Sequence, residues 1–188
     1  MRLTDWQGGA PEMVTERTRM RLHVAGDLDA SARIWANGDV VRYIGGKTST
    51  RSESWSRLLR YVGHWHALGF GYWAVEDRRT GTYLGEVGFA DFKRDIAPGL
   101  DGVPEIGWVL SPHAQGRGIA SEAVAAAVGW GDRNFKVEKT ICLFDRNHAA
   151  SIRVAAKNGY VEPPALLYPD LPMLLMERRL PARNPLKM

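Results

Sequence analysis

The chain has one cysteine, Cys142, in 188 residues. A single cysteine leaves no intrachain disulfide and no cysteine-based metal cluster to form. No apolar run approaches the ~20 residues needed to cross a bilayer, and the opening Met1-Arg2-Leu3-Thr4-Asp5-Trp6 lacks the apolar stretch of a secretory signal. These absences predict a cytoplasmic protein that makes no use of a membrane. Low-complexity tracts are also missing, and 7 tryptophans argue against disorder. Charge of one sign is scarce: 25 Lys and Arg face 21 Asp and Glu, a net charge of +4. The arginines are scattered among carboxylates, as in Glu76-Asp77-Arg78-Arg79, without interleaved aromatics, so no nucleic-acid partner is expected. His64 and His66 project differently from a helix, and His113 and His148 lack ligand-spaced partners, so no metal is expected either.

What is present is a 45% hydrophobic chain, enough for one buried core. We read residues 1–13 as a flexible extension, 14–180 as a single domain and 181–188 as a flexible tail. Residues 15–24 read as a strand. Asp27 is placed to cap a helix carrying Leu28, Ala32, Ile34 and Trp35 that ends near Asn37-Gly38, and Thr50 or Ser52 to cap a second with Trp55, Leu58, Leu59 and Val62 inward. Residues 72–76 and 83–89 form a hairpin across Thr80-Gly81. The strand 104–110, a helix from 117 to about 132 and the apolar run 140–144 make a β-α-β unit, which implies one parallel pair. Asn147 is placed to cap a helix through Lys157, Gly159 to end it in a left-handed conformation, and a last strand to start near Met173. The fold class is α+β (mixed α/β): a twisted, mostly antiparallel sheet with a central parallel β-α-β unit, flanked by helices. Cys142, mid-strand among apolar neighbours, reads as a core thiol.

Gln115-Gly116-Arg117-Gly118-Ile119-Ala120 stands between the alternating strand at Ile106, Trp108 and Leu110 and a helix with Ala120, Val124, Ala127 and Val128 at helical spacing. Glycines there bare the unpaired amides of the first helical turn, and the helix dipole favours an anion, so the expected ligand is a pyrophosphate. A P-loop would need a lysine after Gly118, and a Rossmann turn a third glycine where Ser121 stands.

With Gln115, Gly118 and Ala120 in place, the segment resembles the acyl-CoA loop of the GNAT acetyltransferase superfamily, Gln/Arg-x-x-Gly-x-Gly/Ala. The blocks around it, Glu105 to Pro112 before and Asn147 to Ser151 with Lys157 to Tyr160 after, resemble the RimJ/RimL-type branch, the ribosomal-protein N-terminal acetyltransferases and their small-molecule relatives. Residues 15–22 and 81–88 also match, so the likeness runs from about 14 to about 180.

The resemblance implies a splay between the fourth and fifth strands of that family's sheet, at a bulge, into which a pantetheine arm passes. It implies acetyl-CoA as co-substrate, a primary amine as acceptor (a protein N-terminus or a small molecule) and direct attack on the thioester. Val109, Leu110, Gln115, Gly116, Arg117, Gly118, Ile119, Ala120, Ser121, Asn147 and Ser151 are the cofactor-binding candidates, and Tyr43, Trp55 and Trp108 the acceptor contacts. The amine must lose a proton, and Glu105, on the strand face shared by Gly107 and Val109, or Glu86, among apolar neighbours, is the candidate base. Where many relatives carry a general-acid tyrosine this chain has Ala155, which leaves Ser151 or water to protonate the departing thiolate. A monomer or homodimer is expected. The alternatives are a CoA-binding module without turnover, which a free-thiol assay would separate, and a nucleic-acid binder, which would show steep salt dependence.

Overall fold

The computed structural model describes residue 4 and residues 9–94, 99–164 and 171–182. Seven strands form one sheet in the order β1-β2-β3-β4-β5-β6-β7. The strands are β1 Met13–Val14, β2 Thr18–Arg21, β3 Tyr72–Asp77, β4 Tyr83–Ala90, β5 Glu105–Leu110, β6 Lys139–Phe144 and β7 Leu174–Arg179; the helices are α1 Leu28–Trp35, α2 Gly38–Val41, α3 Arg51–Leu68, α4 Ile119–Asn134 and α5 Ala149–Lys157. Every pairing is antiparallel except that of β5 with β6, the mixed α/β architecture expected of a β-α-β unit set in a hairpin-built sheet.

Several local readings shift. The strand expected over 15–24 is shorter, β2 at Thr18–Arg21, because the chain turns at Thr15 after the short β1: the Thr15 amide donates to Thr18 O at 2.9 Å and its hydroxyl accepts from the Thr18 amide at 3.0 Å. The described part of the 1–13 extension packs on the domain, with Thr4 bridged to Phe135 and Pro11 O accepting from Trp73 Nε1 at 2.9 Å. Of the tail, residues 183–188 lie outside the described residues.

Asp27 precedes α1 but makes no side-chain cap. Its carboxylate instead takes two bonds from Arg21, at 2.8 and 2.7 Å, and one from the Val24 amide at 2.9 Å. Helix α1 ends at Trp35, and Asn37 caps α2 by accepting from the Asp39 and Val40 amides. Thr50 caps α3 in a reciprocal box with Glu53, and Gly69 closes it at φ 75°. Leu58, Tyr61 and Trp65 are the buried stripe of α3, whereas Leu59 is 49% exposed, a correction to the inward set.

The main core joins α4 to the sheet through Val124, Ala127 and Val128 against Trp73, Val87, Phe89 and Ile106. Trp65, Trp73 and Trp130 meet edge-to-face at 4.6 to 5.4 Å between centroids. On the other face Val109 packs with Ile34, Trp35, Val40 and Val41. Glu105, Gly107 and Val109 share that second face by strand alternation.

The feature that positions the site is the meeting of β5 and β6. They pair at one register position, Glu105 with Ile141, reinforced by the Ile141 amide on Pro104 O at 3.0 Å. Beyond it the rest of β5 has no ladder partner in β6. The register irregularity in the sheet falls elsewhere, between Val75 and Glu76 in the β3–β4 pair, so the expected bulge does not coincide with the parting.

Candidate active site

Two cavities of about 620 and 550 Å³ open on either side of the parting, and both are lined by Tyr43, Trp108, Val109, His148 and Ser151. Their common wall is the free end of β5 and the start of α5.

The first cavity holds the glycine turn. Gly116 and Gly118 adopt φ of 70° and 77°, a region other residues enter at a cost. Gly118 immediately precedes α4, so the chain enters the helix with its first-turn amides uncovered. A Cβ on Gly118 would lie 3.2 Å from the Arg17 guanidinium. Arg17 is held there by Glu122 (2.6 Å) and by the carbonyl of Arg117 (2.5 Å). The Gln115 side chain turns back to donate to Leu110 O at 3.1 Å, tying the loop to the strand end.

Among the cofactor candidates, Val109, Leu110, Gln115, Gly116, Gly118, Ala120, Ser121, Asn147 and Ser151 line this cavity. Two do not. Arg117 is exposed and bonds back to His113 O at 3.3 Å, and Ile119 is buried in the main core. Asn147 is present but is not the cap of α5: His148 holds that position without a side-chain cap, and the Asn147 amide donates to Asp145 Oδ1 at 2.8 Å. Ser151 is buried, its Oγ 3.5 Å from His148 Nε2, and His148 stacks on Tyr43 at 4.8 Å. Burial lowers the His148 pKa against the upward pull of Asp145, which favours a neutral ring beside Ser151.

The second cavity is walled by α3, β3 and β5. Gly107 leaves room for the Tyr72 side chain: a Cβ there would stand 2.1 Å from the Tyr72 hydroxyl and that ring would have to shift. Tyr72 stacks on Tyr61 at 4.2 Å. Trp108 and Tyr43 line this cavity, but Trp55 does not: it lines a separate depression with Ala25, Leu28, Arg51 and Ser52.

The two candidate carboxylates have different surroundings. Glu105 lines the second cavity, where Arg94 Nε and Nη2 donate to it at 2.9 and 3.3 Å. Burial raises its pKa, and Arg94 opposes the rise. Glu86 is wholly buried and its company is polar rather than apolar. It accepts from Trp35 Nε1 (2.8 Å), Tyr61 OH (2.9 Å), Tyr83 OH (3.1 Å) and Ser31 Oγ (3.4 Å). Its oxygens are therefore engaged by donors that close it off from the cavity.

Helix α5, Ala149–Lys157, contains no tyrosine. Ala155 is buried in the core, and Tyr160 is buried with its hydroxyl on Thr140 at 2.7 Å. The Cys142 thiol is buried 3.7 Å from Met176 O, and burial pushes its pKa up, as befits a core thiol. Among the described residues no three His, Cys, Asp or Glu side chains gather as a metal site, and no helix is long and apolar enough to cross a membrane. Sequence reasoning missed Arg57, Arg60, Tyr61, Tyr72, Arg94 and His148, all of which line the second cavity. Arg57, Arg60 and Tyr61 stand at i, i+3 and i+4, so their shared helical face was the available signal.

A glycine turn leading into a helix thus lies beside a sheet that parts at one point. Residues 17–161 match the acetyltransferase (GNAT) domain family, and the chain belongs to that family. It is 28% identical over 170 residues to YkkB of Bacillus subtilis (strain 168), an uncharacterized protein, covering 89% of this chain and 95% of that one. A GnaT-family acetyltransferase from Bordetella pertussis superposes with a TM-score of 0.77 at 27% identity, over 90% of this chain and 99% of that one. An acetyltransferase from Agrobacterium tumefaciens C58 shares the fold with a TM-score of 0.75 at 22% identity, over 90% and 95%.

Proposed function

We propose that this acetyltransferase moves the acetyl group of acetyl-CoA to a primary amine by direct attack, in the manner of the RimJ/RimL-type branch. The observation that carries the reading is the pair of cavities meeting at Trp108, Val109 and Ser151, where β5 leaves β6. A thioester threaded from the glycine side reaches the junction, and an amine entering from the α3 side reaches it from the opposite direction. Amides of the first turn of α4 face the pyrophosphate, and the end of β5 offers backbone groups to the pantetheine arm. Positioning supplies most of the rate.

Glu105 serves as base. It stands four residues before Val109, about 13 Å along an extended strand, so it draws the amine's proton through water rather than by direct contact. Glu86 is nearer to Val109 across the sheet, its register partner, but its ring of donors leaves it a structural role. Ser151, at the junction, or water returns a proton to the thiolate.

The test is acetyl-CoA binding together with thiol release over a panel of amines and N-terminal peptides. Acetyl-CoA at ~100 times its Kd should stabilise the fold by about 2.7 kcal/mol, read as a rise in Tm, and at least one amine should release thiol. Binding without thiol release from any acceptor would make the protein a CoA-binding sensor instead.

A further inference from the structure

The acceptor cavity carries a charge that the proton-transfer chemistry does not use. Three guanidinium groups line it, those of Arg57, Arg60 and Arg94, against one lining carboxylate, Glu105. Glu105 balances the charge of Arg94, which donates two hydrogen bonds to it. Glu86, behind the wall, takes its bonds from Ser31, Trp35, Tyr61 and Tyr83 and none from an arginine.

Arg57 and Arg60 remain. Neither has a carboxylate partner among the described residues. The Arg57 guanidinium lies 3.6 Å over the Trp35 ring, which fixes its plane, and its Nη2 donates to Ser49 Oγ at 3.1 Å. Its Nη1 is shut away from solvent and bonds to nothing. A buried, unpaired guanidinium donor costs free energy in the empty protein and is answered best by an oxyanion. Arg60, one turn further along α3, and Arg94 sit against the same Phe92 ring at 5.4 and 4.7 Å, so the second uncompensated charge is braced at the same wall. A second cation brought into this cleft would meet like charge. A cavity of about 550 Å³ is of the size that encloses small molecules.

We propose that the acceptor is a small amine carrying its own oxyanion, a carboxylate or a phosphonate, which Arg57 and Arg60 hold while the amine points to the junction at Val109. This rests on the acetyl-transfer reading. It divides the possible acceptors by charge: amino acids and aminophosphonates fit, and polyamines and neutral N-terminal peptides do not.

The experiment measures kcat/KM with saturating acetyl-CoA for α-amino acids, the matching aminophosphonates, the amino-acid amides that lack the oxyanion, a polyamine and a neutral N-terminal peptide. Higher rates with either acid identify which oxyanion is read. The best acid should exceed its amide by about 10–100-fold, the worth of a charge-assisted hydrogen bond. R60Q, at an exposed position, should raise KM for the acid by about tenfold or more while kcat moves far less. R57Q should do the same, and R57K should recover part of the loss by restoring the charge without the planar fork. Amides, polyamines or the peptide turned over as well as the acids would overturn the proposal, as would a preference for acids that survives both R57Q and R60Q. Acetyl-CoA that stabilises the protein while no acid reacts or adds to the Tm shift overturns the acceptor assignment alone. Acetyl-CoA that neither stabilises nor is consumed removes the transferase reading as well.

Discussion

Two carboxylates on neighbouring strands, Glu105 half-buried and Glu86 buried, have opposite consequences when neutralised. Glu105 lines the second cavity with one ion-pair partner, while Glu86 is ringed by four donors. Glu105→Gln should therefore lower kcat at neutral pH by roughly 10²–10⁴ and shift stability by under about 1 kcal/mol, because the Arg94 pair is half-exposed. Wild-type kcat should fall as pH drops through the raised pKa of Glu105, since the base must be ionised; the variant should lack that limb and recover partly at high pH as more amine is neutral. Glu86→Gln places an amide nitrogen among hydroxyl and indole donors. It should cost about 1–3 kcal/mol by denaturant unfolding, with acetyl-CoA affinity in the surviving folded protein unchanged. A kcat loss of the Glu105 kind appearing in Glu86→Gln instead would exchange the two roles.

At the scale of elements, the glycine turn depends on a brace between the turn that precedes β2 and α4. Glu122, in the first turn of α4, accepts from the Thr15 hydroxyl at 2.5 Å, the Arg17 amide at 2.7 Å and Arg17 Nε at 2.6 Å. Burial pulls the Glu122 pKa upward, but the bonds from Thr15 and Arg17 outweigh it and hold the pKa below the ordinary carboxylate range. A carboxyl held lower in the folded state than in the unfolded chain adds stability above the ordinary value and loses it as pH falls. Glu122→Gln should thus cost about 1 kcal/mol at pH 7, discounted for the exposed Arg17, and the gap from wild type should close below about pH 4. A gap that stays constant through acid would mean that packing, not charge, sets the brace.

The brace also shows what local pattern can and cannot convey. Strand alternation around Ile106 and Trp108, the glycine turn and the helical spacing after Ala120 are short-range signals, and the β-α-β unit and its parallel pair follow from them. Thr15 closes its turn on Thr18 but is fixed by Glu122 of α4, and Arg21, which draws Asp27 from its cap, is itself held by Glu76 of β3; these partners arrive from tertiary contact, so the strand reads as starting at 15 and Asp27 as a cap. The acceptor wall was hidden for the same reason. Arg57 and Arg60 look like the solvated side of an amphipathic helix until Trp35, Phe92 and Glu105 are brought around them from α1, the segment after β4, and β5.

For the whole molecule, the sheet consists of two ladders, β1 to β5 and β6 with β7, joined at a single register position. Hydrogen exchange should register this division. Adding acetyl-CoA should slow exchange of amides at the free end of β5, in the first turn of α4 and at the start of α5, and leave the β3–β4 hairpin amides unchanged. Uniform slowing across all strands would indicate general stabilisation instead of occupancy of the parting.

That lone rung has a mechanical meaning. A continuous sheet resists being peeled because many bonds must break together, but here the two ladders share one rung and the main core, in which Cys142, Phe144, Leu174 and Met176 join residues of α4 and β3 to β5. A bound pantetheine arm, bonded along the bare edge of β5, would act as a borrowed strand and make the sheet continuous only while the cofactor is present. The chain would then be most easily torn along one line when empty, and each departure of CoA would reopen that line.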